Sequence, residues 1–477
     1  MAVKEGPLAA APAFFIFVSL CVSILLGVRT AAPVPVIAAV SALLSASAIF
    51  AGTEREVPGW RRMLALVVIL SLILSFISAA RTRETISFPN SFESRGKILL
   101  AREWGKTRAY LIETPYGRAA AYARENLRDG ASVRLRAASF DFKRADKRGD
   151  FDEALFWRGK GAVKKLELFE IRETAPPSGF AAWRNGLDAL FRARLMPLSA
   201  AYMSALTTGR RSALIEEPHK RAGTIHLLSV SGFHVGLLAG LLFFLRRGGA
   251  ARTAAVSALL WLYVAFAGFP PGGLRAAAMA QICIAAEALG RPYSSFNNVS
   301  AAACLMLLYN PWSFFDVGWR LSVLAALFIT AGVRLVGRDF AGAAALSVLV
   351  WFVSAPVVAE VFSSVPVAGL TANIVAVPYF AAVFPLIFSL NLPPMLGLPF
   401  APLFAGTSEL ILRFSHGALE RLASLTPAQI GFSTPLFVLA ASIFCAAAAL
   451  RCGAPLRRSP FIVLFSLAVL LYFRAVL

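Results

Sequence analysis

Two of the chain's four histidines, His226 and His234, stand in an otherwise apolar stretch, Thr224-Ile-His-Leu-Leu-Ser-Val-Ser-Gly-Phe-His-Val-Gly-Leu-Leu-Ala-Gly240, with Ser229 and Ser231 between them. Ionisable and hydroxyl side chains are expensive in lipid, so in such a segment they face a bundle interior or an aqueous cavity. There they can hydrogen-bond a polar or anionic solute, or work as a serine nucleophile with a histidine base. Gly232, Gly236 and Gly240 fall four apart and make a smooth ridge that admits a neighbouring backbone. Ser231-Gly232 in mid-segment also favours a local break whose freed backbone groups must meet protein or line a cavity. The plain alternative is a tightly packed helix whose serines bond their own carbonyls.

Four further polar residues interrupt apolar sequence downstream. Arg275 follows the double proline of Phe266-Ala-Gly-Phe-Pro-Pro-Gly-Gly-Leu-Arg-Ala-Ala-Ala-Met279, in the first turns of a helix. Asp316 and Arg320 lie in Asn310-Pro-Trp-Ser-Phe-Phe-Asp-Val-Gly-Trp-Arg-Leu-Ser322, and Asn373 precedes Pro378 and Pro385. The cations supply positive potential, and Asp316 is placed to pair with Arg275 or Arg320. An Asp–Arg pair that only holds helices together is the plain alternative.

Composition says what must carry these residues. Of 477 residues, 58% are hydrophobic and 15% charged, against roughly half and a quarter in soluble domains. A polytopic α-helical membrane protein of about 10 spans follows. The net charge of +21 exceeds what positive-inside loops readily explain, and a polyanionic ligand is one candidate for the remainder. None of the five cysteines forms a Cys-x-x-Cys pair, and four histidines without a carboxylate motif point to no metal. No phosphate-cradling Gly-x-x-x-x-Gly-Lys-Ser/Thr loop occurs, and no Gly-x-Ser-x-Gly elbow supports hydrolysis. No cofactor and no catalytic residue are expected.

Residues 1–80 hold about three spans, near Ala11 to Val28, Pro33 to Phe50 and Met63 to Ala80. The first has only Lys4 before it and is read as a retained span. Arg55, Arg61 and Arg62 between the second and third place the N-terminus in the cytoplasm and the region after Ala80 outside.

Residues 81–176 change character, with 21 basic and 14 acidic residues. Strand-like pieces run over Lys97 to Arg102, Arg108 to Glu113, Ala119 to Ala123, Ser132 to Ala137 and Val163 to Ile171, separated by turn signals. Five short strands in such a span suggest a small all-β barrel, an inserted OB-fold-like extramembrane domain. Arg102, Trp104, Arg108, Tyr110, Arg134 and Arg136 interleave aromatics with cations, the mixture that single-strand binding needs. A barrel core with a solvated basic face is the plain alternative. Residues 177–200 spell an amphipathic interfacial helix with Trp183, Leu187 and Phe191 opposite Arg184, Arg192 and Arg194. Residues 201–477 form the main transmembrane domain.

His226-Leu-Leu-Ser-Val-Ser-Gly-Phe-His234-Val resembles the signature of the ComEC family, inner-membrane channels for single-stranded DNA in natural transformation. Gly209-Arg-Arg-Ser212 resembles the family turn Leu-Gly-(Asp/Glu)-Arg-Ser, with Arg210 in the acidic place. The Arg275 segment resembles Thr-Gly-x-x-x-Ser-x-x-Arg-Ala-x-x-Met, with Gly273 near the missing serine. The Asp316 segment resembles Asn-Pro…Asp-x-Gly-Phe-Gln-Leu-Ser, with Arg320 where the family has glutamine. Asn373 with its prolines resembles Asn-x-x-x-x-Pro…Pro.

The resemblance implies a channel in the bacterial inner membrane that imports single-stranded DNA, with the barrel outside the cytoplasm. His226, Ser229, Ser231, Gly232, His234, Arg275, Asp316, Arg320 and Asn373 would then line the path. It also implies an extracytoplasmic DNA-receptor protein, and within the cell an ATP-driven motor or single-strand-binding proteins; a homodimer is compatible. Many members carry a metallo-β-lactamase-like domain, whose His-x-His-x-Asp-His run is not in this sequence. The rival readings are a transporter or flippase for another anionic solute or lipid-linked polymer, and an intramembrane hydrolase using Ser229 or Ser231.

Overall fold

The computed structural model describes residues 11–52, 60–84, 87–144, 152–228, 249–290, 294–333, 339–362, 365–425 and 429–430. They divide between two compact units, one within Met1–Thr85 and Ala278–Val365 with Ile430, the other within Ile86–Ala277 and Pro366–Gln429.

In the first unit, α1 (Pro12–Arg29), α2 (Val34–Gly52) and α3 (Trp60–Arg83) follow the three expected apolar runs. A seam of small residues brings α1 and α3 together. A Cβ on Gly27 would lie 2.6 Å from Thr82 Oγ1, and the buried hydroxyls of Ser19 and Ser75 bond each other at 2.8 Å. In a bilayer, small residues and interhelical hydroxyl bonds replace the hydrophobic drive. The other side of α3 leaves Leu66, Ile69, Ile73 and Phe76 exposed, as a lipid-facing stripe requires.

The second unit opens with a closed barrel of β1 (Ser91–Trp104), β2 (Thr107–Thr114), β3 (Gly117–Ala123), β4 (Ser132–Phe140) and β5 (Lys164–Ala175), in the order β1-β2-β3-β5-β4. Only β3 and β5 pair in parallel. Alternate residues fill the interior, among them Phe92, Tyr110, Ile112, Val133, Leu135 and Leu166, the period-two burial of a one-faced strand. A short helix, α4 (Glu153–Gly159), packs a second cluster against the outside of β2 and β3, with Trp157 beside Ala109, Leu111 and Ala120. Asp152 starts α4 by accepting from the Leu155 backbone N–H at 2.8 Å.

The amphipathic stretch is α5 (Phe180–Arg194), burying Ala181, Asp188 and Phe191 and exposing Trp183. After it come α6 (Pro197–Thr208), α7 (Ala213–Arg221) and a 3-10 turn, Ile225–Leu228. Then follow α8 (Gly249–Phe266), α9 (Pro271–Ala288), α10 (Ser295–Tyr309), α11 (Val317–Gly332), α12 (Phe340–Phe362), α13 (Ala368–Leu396) and α14 (Ala401–Leu425). Among the described residues four helices are long and apolar enough to cross a membrane, at Pro12–Arg29, Arg61–Arg83, Phe340–Ala359 and Ala368–Leu396, and five shorter apolar helices accompany them.

Candidate functional site

Two buried polar networks of the second unit precede the histidine stretch in the chain. The first centres on Arg210, in the turn after α6. Gly209 takes the left-handed conformation (φ 72°) that ends α6, and this directs Arg210 back along α5. There Nη1 donates to Asp188 Oδ2 at 2.6 Å and Nη2 to Asp129 Oδ2 at 3.1 Å, with Asn185 Oδ1 as a further acceptor. Asp129 belongs to the β3–β4 loop, so one guanidinium joins barrel, α5 and α6. Burial works against its charge, but the two carboxylates more than offset that and hold its pKa above the ordinary arginine value. The departure at Arg210 from the family's acidic residue therefore has a physical reason. An acid here would face the buried Asp188 and the Asp129 carboxylate.

The second network sits on α7, which bears Glu216, Glu217, Lys220 and Arg221 and lies outside the apolar spans. His219 is fully buried, its Nε2 2.8 Å from the Tyr202 hydroxyl and its Nδ1 2.9 Å from Thr224 Oγ1. Burial among Tyr202, Phe380 and the ends of α6 and α7 pushes its pKa down to about 4. The imidazole is neutral and tethers the residue that opens the histidine stretch. His226 follows on the exposed side of the 3-10 turn.

Between these two residues the chain touches α13. Gly223 has φ 69°, and a Cβ there would lie 2.8 Å from Gly369 Cα. Asn373 is one helical turn beyond Gly369, on the same face of α13. Its Oδ1 is buried with no hydrogen-bond partner among the described residues. An orphan amide oxygen of this kind suits a polar lining better than a lipid face. Ser229, Ser231, Gly232 and His234 lie outside the described residues.

Arg275 is half-buried on the first turns of α9, in the second unit, whereas Asp316 and Arg320 belong to the first. The Asp316 motif is a pair of caps. Asn310 Oδ1 accepts from the Trp312 N–H at 3.1 Å and starts a 3-10 turn; Asp316 Oδ1 accepts from the Trp319 N–H at 2.9 Å and starts α11. A Cβ on Gly318 would stand 3.1 Å from that carboxylate oxygen, which accounts for the Asp-x-Gly spacing. Helix capping is thus one role that the geometry gives the Asp316 carboxylate.

In the barrel the six expected contact residues separate. Arg134 and Arg136 project outward from β4. Arg102 and Arg108 sit on the β1–β2 hairpin, Arg108 bonded to Asn126 and 3.8 Å from Glu103. Tyr110 is corrected as a stacking platform. Its ring is wholly inside the barrel, and its hydroxyl bonds the Glu125 carbonyl and accepts from the Leu127 N–H. Trp104 is likewise engaged, against Phe156 with ring centroids 5.4 Å apart, in the cluster under α4. Alternation alone did not reveal this, because α4 gives β2 and β3 an apolar outer face as well. No group of three or more His, Cys, Asp or Glu side chains able to hold a metal occurs among the described residues.

A family model described as Competence protein matches residues 206–455, more than half of the chain. ComE operon protein 3 of Bacillus subtilis (strain 168) is 26% identical over 284 residues, which cover 56% of this chain and 37% of that protein. Competence protein ComA of Neisseria gonorrhoeae is 29% identical over 316 residues, covering 60% of this chain and 43% of that protein. The chain spans about two fifths of the length of these curated relatives. No solved structure matches it. The match begins on α6 and runs on through the Arg210 turn, the histidine stretch, the Arg275 helix, the capped α11 and α13, so this chain belongs to the ComEC-type competence protein family.

Proposed function

We propose that the chain forms a channel in the bacterial inner membrane that passes single-stranded DNA into the cytoplasm during transformation, and that it acts as a channel without catalysis of its own. The observation that carries this reading is the family match over residues 206–455, which contains the polar and cationic residues set into apolar helices. An anionic backbone entering a membrane must replace its water and counterions, yet must meet no site that holds it permanently. Polar groups spread along the chain, such as His226, Asn373 and Arg275, meet both demands better than one dense cationic cluster. The five-stranded barrel, with the strand order of an oligonucleotide-binding fold, receives the strand outside the cytoplasm, and a DNA-receptor protein and an ATP-driven motor complete the route.

The test is uptake of a selectable linear DNA in a transformable host lacking the gene, complemented with wild type or Arg275→Ala. Transformants that vanish in the deletion, return with wild type and fail with Arg275→Ala support the channel. An unchanged frequency in the deletion removes DNA import and makes transport of another anionic solute the leading reading.

A further inference from the structure

Barrels of the oligonucleotide-binding kind hold their ligand on the outer face of strands 2 and 3. In this chain that face is closed. Ala109, Leu111 and Ala120 point outward from β2 and β3 but lie under α4, where Trp157 is almost fully buried and donates from Nε1 to the Tyr122 hydroxyl at 2.8 Å. The outer face on the other side of the barrel, formed by β1, β4 and β5, has no such cover among the described residues.

On that open face the registers align three arginines. Arg95 of β1 is opposite Arg134 of β4, and Arg134 is opposite Arg172 of β5. Adjacent strands are about 4.8 Å apart, so three guanidinium groups form one row across the face. Like charges directly opposite one another destabilise a sheet. Glu93 and Glu170, in the next row, relieve this in part: Glu93 accepts from Arg134 Nε at 2.6 Å, and a Glu170 carboxylate oxygen lies 2.6 Å from Arg172 Nε. Both arginine side chains stay accessible, Arg134 at 67% and Arg172 at 80% exposed. Beside the row, a register shift between Arg136 and Ala137 gives β5 an extra residue, Phe169, whose ring is exposed and lies 5.8 Å from the Arg136 guanidinium. Phe140 extends the same face and is half-exposed.

We propose that the β1–β4–β5 face is the nucleic-acid site of the barrel, with Arg95, Arg134 and Arg172 on successive phosphates of a single strand and Phe169 under a base. Cations that track the backbone beside an aromatic stacking surface are what sequence-tolerant single-strand binding requires. The site rests on the channel reading above; of the six residues expected from the sequence it keeps Arg134 and Arg136 and leaves out those of the β1–β2 hairpin.

The experiment measures anisotropy of a labelled oligothymidylate of about 16 nucleotides with the full-length protein in zwitterionic nanodiscs, from about 50 to 200 mM salt. Replacing Arg95, Arg134 and Arg172 together by Gln should weaken binding at least tenfold and flatten the log–log salt slope by about 2, near 0.7 per lost single-strand phosphate contact. Replacing all three by Lys should restore most of the affinity, and this separates charge from folding. Phe169→Ala should weaken binding at least fivefold with the slope unchanged. Lys106→Gln with Lys160→Gln, which removes charge on the far side, should leave the slope as it is. An unchanged Kd in the Gln triple variant, or an equal loss in the Lys106/Lys160 variant, overturns the site and leaves the channel reading standing. Absence of any binding by the wild-type protein overturns both.

Discussion

Glu409 on α14 caps α6 from across the unit, its Oε2 accepting from the Ser199 N–H and from the Ser199 hydroxyl, each at 3.0 Å. Its Oε1 accepts from the Leu198 N–H at 3.2 Å. Pro197 occupies the first position of α6 and has no N–H, so one buried carboxylate answers the free donors of the first turn.

Glu409→Ala should therefore cost about 3 kcal/mol, because two buried N–H groups and a hydroxyl lose their acceptor. Glu409→Gln keeps one carbonyl acceptor and should lose about half as much. Thermal unfolding of the purified protein in detergent reads both, and equal midpoints for wild type and Glu409→Ala would contradict the capping role.

Arg210 gives the second expectation. Arg210→Ala leaves Asp188 buried without its cation, a loss of about 3–5 kcal/mol for broken buried pairs. Arg210→Lys keeps the charge but cannot fork between Asp188, Asp129 and Asn185, and should fall between. Beyond the global midpoint, proteolysis of the β3–β4 loop should become faster in Arg210→Ala, since Asp129 is released from α5 and α6.

His219 sets a pH dependence. Its folded pKa of about 4 lies below the unfolded value near 6.5, so the unfolded chain binds the proton first. The contribution is complete above about pH 6.5 and is lost as pH falls toward 4, at up to about 1.4 kcal/mol per pH unit. Unfolding midpoints recorded from pH 7 to 4.5 should fall more steeply in wild type than in His219→Gln, and identical slopes would refute the assignment.

Asp316 offers a test of structural against path roles. Asn caps helices about as well as Asp, so Asp316→Asn should keep wild-type DNA uptake. Asp316→Ala should cost about 1 kcal/mol of stability. A collapse of uptake in Asp316→Asn would return the carboxylate charge to the path.

The five strands were legible as short apolar pieces between turn signals, with period-two alternation clearest in Ser132 to Ala137, and α1 to α3 because each is a long apolar run. The amphipathic α5 was legible for the same kind of reason. What alternation could not carry was the second apolar layer: Trp104 reads as an exposed platform because α4, which covers it, is a short helix far along the chain. The side of the barrel left open was equally hidden, since the Arg95–Arg134–Arg172 row exists only through the registers of β1, β4 and β5. In the membrane portion the motif residues were visible, but caps and path-lining groups look alike in sequence. The 2.9 Å bond to the Trp319 N–H is what shows Asp316 capping α11.

The meeting of Gly223 with Gly369 works as a spacer gauge. Two bare backbones in contact set the smallest separation two segments can have, and here they set it between the start of the histidine stretch and the helix that carries Asn373. The width available there is thus fixed by the absence of two side chains. A single methyl at Gly223 would act as a wedge between the two backbones without removing a polar group from either segment.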